Sequence, residues 1–302
     1  MSADGSFLPA DAGAEPATED AIPVNPGDAS DGVLRQPPLE IIDTIPACEH
    51  QPSRPRPLHV SVSRSVKKRI KAVLAGKLLL TAFQPISELP IGNVIGVEAL
   101  TRFVTSDGAS ADVWFREAAA VGLETELEIA ALHCALTAAK ELPGHLFVAF
   151  NLTPTTCCDP RISQMLLQSH LIPGRIVIEL TGSLEASEHL PLTDVLTPLR
   201  QRGVRLAVSA PGAGSVSLGR TTQLRPDIIQ LQRPLIKGIQ DSPEQLTHAE
   251  GVIDLAHQTG ATVWAEGIET PAEFTAVKAL GVKTGQGYLL GRPSVRPIGW
   301  ST

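Results

Sequence analysis

From about residue 72 onward, short apolar runs alternate with longer amphipathic stretches. The runs have the length and composition of buried strands, and the stretches between them have the spacing of helices with one apolar face. Eight strand-like runs lie at 78–86, 94–103, 145–153, 175–182, 204–210, 227–232, 262–268 and 285–291. Helices are expected at 124–142, 159–171, 190–203, 242–260 and 270–281. This alternation favours an α/β fold, a single (β/α)8 TIM-like barrel.

Two local signals refine that prediction. The first two runs are joined by ELPIGN, which is too short for a crossover helix, so these two strands should pair antiparallel. The last helix has a clear start, because Thr270, Pro271 and Glu273 have the spacing of a capping box with proline at the first helical position. Gly281 is placed to end that helix.

The N-terminal region has a different composition from the barrel. Residues 1–57 contain ten prolines, and residues 1–50 hold ten acidic side chains against the single base Arg35. Such a segment cannot bury enough apolar surface to offset its ordering entropy, so we predict a disordered acidic tail over 1–57. The barrel domain is assigned to 58–302, with its core at about 72–297.

Charge and composition exclude several classes of protein. Residues 51–71 carry seven bases and no acid, but no aromatic residue that could stack on a base, so a nucleic-acid partner is not expected. No apolar run is long enough to span a membrane, and the first residues lack the pattern of a signal peptide. The four cysteines form no CxxC pair, which favours a reducing cytoplasmic location.

Lone polar residues interrupt several of the apolar strand runs. They are Glu98, Asn151, Glu179, Glu266 and Gln286. A carboxylate in an apolar strand needs a cation or metal as partner, and barrel chemistry gathers at the C-terminal ends of strands. These oxygen-bearing side chains therefore indicate a site for a hard divalent ion such as Mg²⁺ or Mn²⁺.

Six ordered motifs resemble those of the EAL domain, the bacterial phosphodiesterase domain for cyclic di-GMP. They are FQPI at 83–86, GVEALTRF at 96–103, FNLTP at 150–154, IELTGS at 178–183, AEGIET at 265–270 and GQGYLLGRP at 285–293. The resemblance implies that Glu98, Asn151 and Glu179 are metal ligands and that Glu266 lies beside the metals and the attacking water. It implies dinucleotide contacts from Gln84, Leu100, Arg102 and Gln286. The implied chemistry is two-metal hydrolysis of a phosphodiester.

The sequence departs from the family pattern at catalytic positions. The family's Asp-Asp pair on the fifth strand is replaced by Ser209 and Ala210, and the lysine of the next strand by Gln230. The second glutamate of the Glu-x-Thr-Glu strand is Gly182. A site without its bridging carboxylates can hold at most one Mg or Mn ion, weakly, and a neutral amide cannot replace the charge of lysine.

These losses favour a degenerate, non-catalytic EAL-like domain that acts as a regulatory or binding module, either a cyclic di-GMP receptor or a scaffold for a protein partner. An active or weakly active phosphodiesterase is the alternative. A barrel enzyme of different chemistry is a third possibility, but no GxSxG, HExxH or Walker motif supports it. A homodimer is expected.

Overall fold

The computed structural model describes residues 58–105, 107–182, 189–210 and 223–295. The predicted disordered tail at 1–57 lies outside the described residues, as does the remainder of the strand-five motif after Ala210. Across the described ranges, no helix is both long enough and apolar enough to cross a membrane.

Eight strands close into a barrel in sequence order. They are β1 Leu79–Glu88, β2 Val94–Phe103, β3 Phe147–Leu152, β4 Ile176–Leu180, β5 Arg205–Ser209, β6 Ile228–Leu231, β7 Thr262–Ala265 and β8 Thr284–Gly285. β1 pairs antiparallel with both β2 and β8, whereas every other neighbouring pair is parallel. The predicted α/β barrel and its antiparallel first pair are confirmed.

Helices flank the strands. They are α1 Leu58–Gly76, α2 Ala111–Ala120, α3 Glu124–Ala138, α4 Pro154–Cys157, α5 Pro160–Leu167, α6 His189–Arg200, α7 Arg233–Ile236, α8 Pro243–Thr259 and α9 Pro271–Ala279. The expected helices are all present with shifted ends, and the capping box of Thr270 and Glu273 is formed. Helix α2 was not predicted from the sequence, although its buried residues Trp114 and Ala118 have the i, i+4 spacing of a helix with one apolar face.

The strands divide their side chains between two layers, because successive residues of a strand point to opposite sides. One set packs against the helices in the main core. The other set fills the barrel interior with apolar side chains: Ile86, Phe147, Ala149, Val177, Ala207, Ile228 and Trp264. On the parallel strands β3 to β6, and directly after β7, the next inward residue towards the C-terminal end is polar: Asn151, Glu179, Ser209, Gln230 and Glu266. The barrel therefore has an apolar floor and a polar mouth at the C-terminal ends of its parallel strands.

Candidate functional site

Glu98 on β2 lies at the centre of a hydrogen-bonded cluster in the mouth. The Asn151 side-chain amide donates to Glu98 Oε1 at 2.7 Å, and the Gln286 amide donates to Glu98 Oε2 at 2.6 Å. Gln84 lies opposite Glu98 in the β1–β2 register and donates to the Gly291 carbonyl at 3.1 Å. Both oxygens of the Glu98 carboxylate are thus satisfied by neutral amides.

Glu179 on β4 is buried beside Asn151, which is its register partner on β3. The Gln230 side-chain amide, also buried, donates to Glu179 Oε1 at 2.7 Å. Burial, followed by the nearby carboxylates of Glu98 and Glu266, raises the pKa of Glu179 well above its usual value, and the single amide hydrogen bond opposes this only in part. The environment of Glu179 therefore favours the protonated form of its carboxyl group.

Glu266 follows β7 and is fixed there by its backbone N–H, which donates to the Leu231 carbonyl at 2.8 Å. Burial and the Glu98 carboxylate raise the pKa of Glu266 to about 8. Gly267 comes next, with a positive φ of 74°, and a Cβ at that position would lie 2.4 Å from the Arg233 side chain. The close approach of Arg233 is possible because residue 267 is glycine.

Ser209 and Ala210 stand at the end of β5, where the family resemblance expects two aspartates. Gln232 donates to Ser209 Oγ at 2.7 Å, and the backbone N–H of Ala210 donates to the Gln230 carbonyl at 2.8 Å. Hydroxyl, methyl and amide groups therefore line this side of the mouth, and these side chains carry no charge.

The donor set does not fit a two-ion centre. Across the described parts of the chain, no group of three or more His, Cys, Asp or Glu side chains could hold a metal ion. Glu98, Asn151 and Glu179 do lie together as the sequence predicted, but both Glu98 oxygens and Oε1 of Glu179 accept hydrogen bonds from amides. Gln286 Oε1 is buried and has no donor among the described residues.

A cavity of about 440 Å³ opens beside the mouth, between β2, β3, α2 and α3. Among the predicted residues, Glu98, Leu100, Arg102 and Asn151 line it. Gln84, the register partner of Glu98, and Gln286, which donates to Glu98, do not line the cavity.

Sequence reasoning missed the outer wall of this cavity. Asp112, Phe115 and Arg116 come from α2, which was not predicted, and Glu128 comes from α3. Glu128 is buried and accepts hydrogen bonds from the backbone N–H and the hydroxyl of Thr153, at 3.0 and 3.1 Å. An acidic residue on the buried face of an amphipathic helix was the available signal.

The EAL domain family matches residues 67–293. The cyclic di-GMP phosphodiesterase RocR of Pseudomonas aeruginosa is 26% identical over 258 residues, covering 79% of this chain and 63% of that protein. The blue light- and temperature-regulated antirepressor BluF of Escherichia coli is 25% identical over 222 residues, covering 72% of this chain and 55% of that protein.

A solved structure of BlrP1 from Klebsiella pneumoniae, a complex with calcium and cyclic di-GMP, is 30% identical and superimposes with a TM-score of 0.63 over 72% of this chain and 56% of that one. The chain spans only part of its curated relatives, 28% in the case of the Sinorhizobium fredii protein y4lL. The match of the family over most of the chain, on a closed barrel of the expected topology, establishes that the chain belongs to the EAL domain family.

Proposed function

We propose that this EAL domain is a non-catalytic, regulatory module that binds cyclic di-GMP without hydrolysing it. The observation that carries the proposal is the hydrogen bond from Gln230 to Glu179. At this pair of positions the family resemblance expects a lysine and a metal-ligating glutamate. Here a neutral amide donates to a carboxyl group, and neither group can stabilise developing negative charge as a cation would.

The second support for loss of hydrolysis is the side of the mouth formed by Ser209 and Ala210. Two-metal hydrolysis requires carboxylates that hold both ions about 4 Å apart around the reacting phosphate. Neither side chain supplies one, and Gln232 already donates to the Ser209 hydroxyl. Any ion that does bind would be a single Mg²⁺ or Mn²⁺, held weakly by Glu98, Asn151 and Glu179.

Ligand binding is favoured by the protonation states of the same residues. Three ionised carboxylates at the mouth would repel a ligand that carries two phosphodiester charges. The pKa values of Glu179 and Glu266 are raised, the latter to about 8, and this reduces the negative charge that faces the ligand. The cavity adds Arg102 and Arg116 as cationic groups for the phosphates, although it also carries Asp112 and Glu124.

The names of the relatives are compatible with both a regulatory role and a phosphodiesterase activity. BluF is named an antirepressor, which favours a regulatory role, and BlrP1 was solved with cyclic di-GMP bound. RocR is named a cyclic di-GMP phosphodiesterase, which favours the active-enzyme alternative. We also propose a cytoplasmic location and a homodimer. A protein-interaction scaffold that has lost the ligand is the remaining alternative.

Calorimetry with cyclic di-GMP tests the proposal, in excess Mg²⁺ and separately in EDTA, with a parallel assay for the linear dinucleotide. The proposal expects binding of similar affinity in both conditions and no product. Turnover in Mg²⁺ that is abolished by Glu98→Ala would support the phosphodiesterase. No binding in either condition would support the scaffold.

A further inference from the structure

Helix α1 lies outside the barrel strands and packs against α2 and α3. Its buried residues Ile70 and Val73 join an apolar cluster that includes Trp114 of α2 and Leu127 of α3. The exposed face of α1 is basic and carries Lys67, Lys68 and Lys71. Helix α1 therefore packs against the rest of the domain through one face, and its other face is exposed.

Arg69 makes polar contacts from α1 to three places around α2. Its guanidinium lies over the Trp114 ring, 4.2 Å from the ring centre, and pairs with the Glu117 carboxylate. It also donates to Asp107 Oδ2 at 3.0 Å, in the loop between β2 and α2. Asp107 is itself fixed by the Thr105 hydroxyl at 2.9 Å and the Ala109 backbone N–H at 3.1 Å. One side chain thus ties α1 to both the helix and the loop that leads into it.

The opposite side of α2 forms the outer wall of the cavity, through Asp112, Phe115 and Arg116. Trp114 also stacks on Phe103, with ring centres 4.8 Å apart, and Phe103 directly follows the cavity residue Arg102. Arg69 therefore supports the cavity wall from behind without lining the cavity itself.

Two buried donors in the contact between α1 and α2 lack an acceptor among the described residues. Arg69 Nε and Trp114 Nε1 are both buried, and neither has an acceptor among the described residues. Because a buried donor without an acceptor is unfavourable, separating α1 from α2 would let water reach both groups and offset part of the lost contact. The ion pairs of Arg69 with Glu117 and Asp107 are the charged contacts that oppose this separation.

We propose that Arg69 is a positioning residue that latches α2 over the cavity and thereby sets the affinity of the site for cyclic di-GMP. The affinity part of this inference rests on the proposed function. The latch itself does not, because it concerns the opening of α2 with or without a ligand.

Hydrogen exchange on the full chain tests the latch directly. In Arg69→Met, the amides of residues 111–120 should exchange about tenfold faster than in the unmodified protein, since local opening is governed by such contacts. Lys68→Met is the matched control on the exposed face of the same helix and should leave exchange unchanged. Glu117→Gln, which keeps the shape of its side chain, provides a second route to faster exchange. Unchanged exchange in both Arg69→Met and Glu117→Gln would overturn the latch.

Calorimetry with cyclic di-GMP tests the consequence. Arg69→Met should weaken binding about tenfold, and Arg69→Lys should weaken it less because it keeps the charge but loses the planar fork. Faster exchange with unchanged affinity would overturn the link between latch and site. If the unmodified protein does not bind cyclic di-GMP, the proposed ligand is wrong, whereas the exchange comparison still decides the latch.

Discussion

Two buried glutamates in this barrel have opposite electrostatic environments. Glu179, in the mouth, accepts from the amide of Gln230 and has a raised pKa. Glu273, at the start of α9, accepts from Arg233 at 2.7 Å and from backbone N–H groups of Gly238, Glu269 and Thr270. Burial alone would raise the pKa of Glu273, but these donors together lower it to about 2.

The difference lies in the partner, since both side chains are almost fully buried. A cation and several aligned N–H groups keep a buried carboxylate ionised, whereas one amide does not. Among the described residues, Glu179 therefore has a neutral amide as its hydrogen-bond donor, whereas Glu273 has the cation Arg233.

The largest expected effect comes from rebuilding charge in the mouth. The unmodified protein should form no measurable linear dinucleotide from cyclic di-GMP. A triple variant Ser209→Asp, Ala210→Asp, Gln230→Lys should hydrolyse cyclic di-GMP at least about a thousandfold faster than the unmodified protein. The reason is that metal binding and charge stabilisation are each worth several kcal/mol. Product formed over time in Mg²⁺ or Mn²⁺ is the measurement.

Each of the three single substitutions should raise the rate of hydrolysis less than about tenfold, because the effects of groups that act as a unit are strongly non-additive. Adding Glu98→Ala to the triple variant is the control and should remove the gain. Gly182→Glu is not part of the design, since Gly182 has a φ of 84°, a conformation that strains a side chain. Turnover by a single revertant would contradict this interpretation.

Removing the partner of Glu179 should have the next largest effect. Gln230→Met leaves the buried carboxyl group without its hydrogen bond, which should cost about 3 kcal/mol of unfolding free energy. Gln232→Met, on an exposed residue of the same segment, is the matched control and should cost less than about 1 kcal/mol. Urea unfolding followed by circular dichroism measures both. Equal costs would mean that the Gln230 contact contributes little.

The ion pair of Glu273 with Arg233 should have a smaller and pH-dependent effect on the free energy of unfolding. Glu273→Gln should cost about 2 kcal/mol at pH 7, because the folded-state pKa of about 2 lies below the ordinary value of 4.5. That stabilisation is present above pH 4.5 and is lost as the pH falls towards 2. The variant and the unmodified protein should therefore converge only as the pH approaches about 2, whereas the exposed control Glu250→Gln should match the unmodified protein throughout. A cost that does not depend on pH would indicate packing instead of charge.

The surroundings of Glu273 could be predicted from the sequence better than those of Glu179. The capping box at Thr270 and Glu273 was predicted because local spacing alone specifies it. The strand order and the polar mouth were also predicted, since strand periodicity places Glu98, Asn151 and Glu179 on one inward row. The amide pairing of Gln230 with Glu179 was not, because it joins residues from β4 and β6 and depends on barrel closure. The cavity wall was missed for a further reason: α2 has only ten residues, and a helix that short is stabilised mainly by tertiary packing, here through its buried Trp114 and Ala118.

The smallest expected effect concerns Glu266, whose position at the mouth leaves it partly exposed. Its folded-state pKa of about 8 lies above the ordinary value of 4.5, so the folded protein keeps a proton that the unfolded chain releases. The stability that this provides is complete below pH 4.5 and is lost as the pH rises through 8. Because solvent reaches this carboxyl group and screens its interactions, only part of the shift is converted into stability. Relative to Glu266→Gln, which does not titrate, the unmodified protein should lose about 1 kcal/mol between about pH 5 and pH 9.

Urea unfolding of both proteins at several pH values measures this difference, with Glu250→Gln as the exposed control. If the unmodified protein instead gains stability against Glu266→Gln as the pH rises, Glu266 has a cationic partner. Glu266 would then be paired with a cation as Glu273 is with Arg233, and the argument against hydrolysis would be weaker.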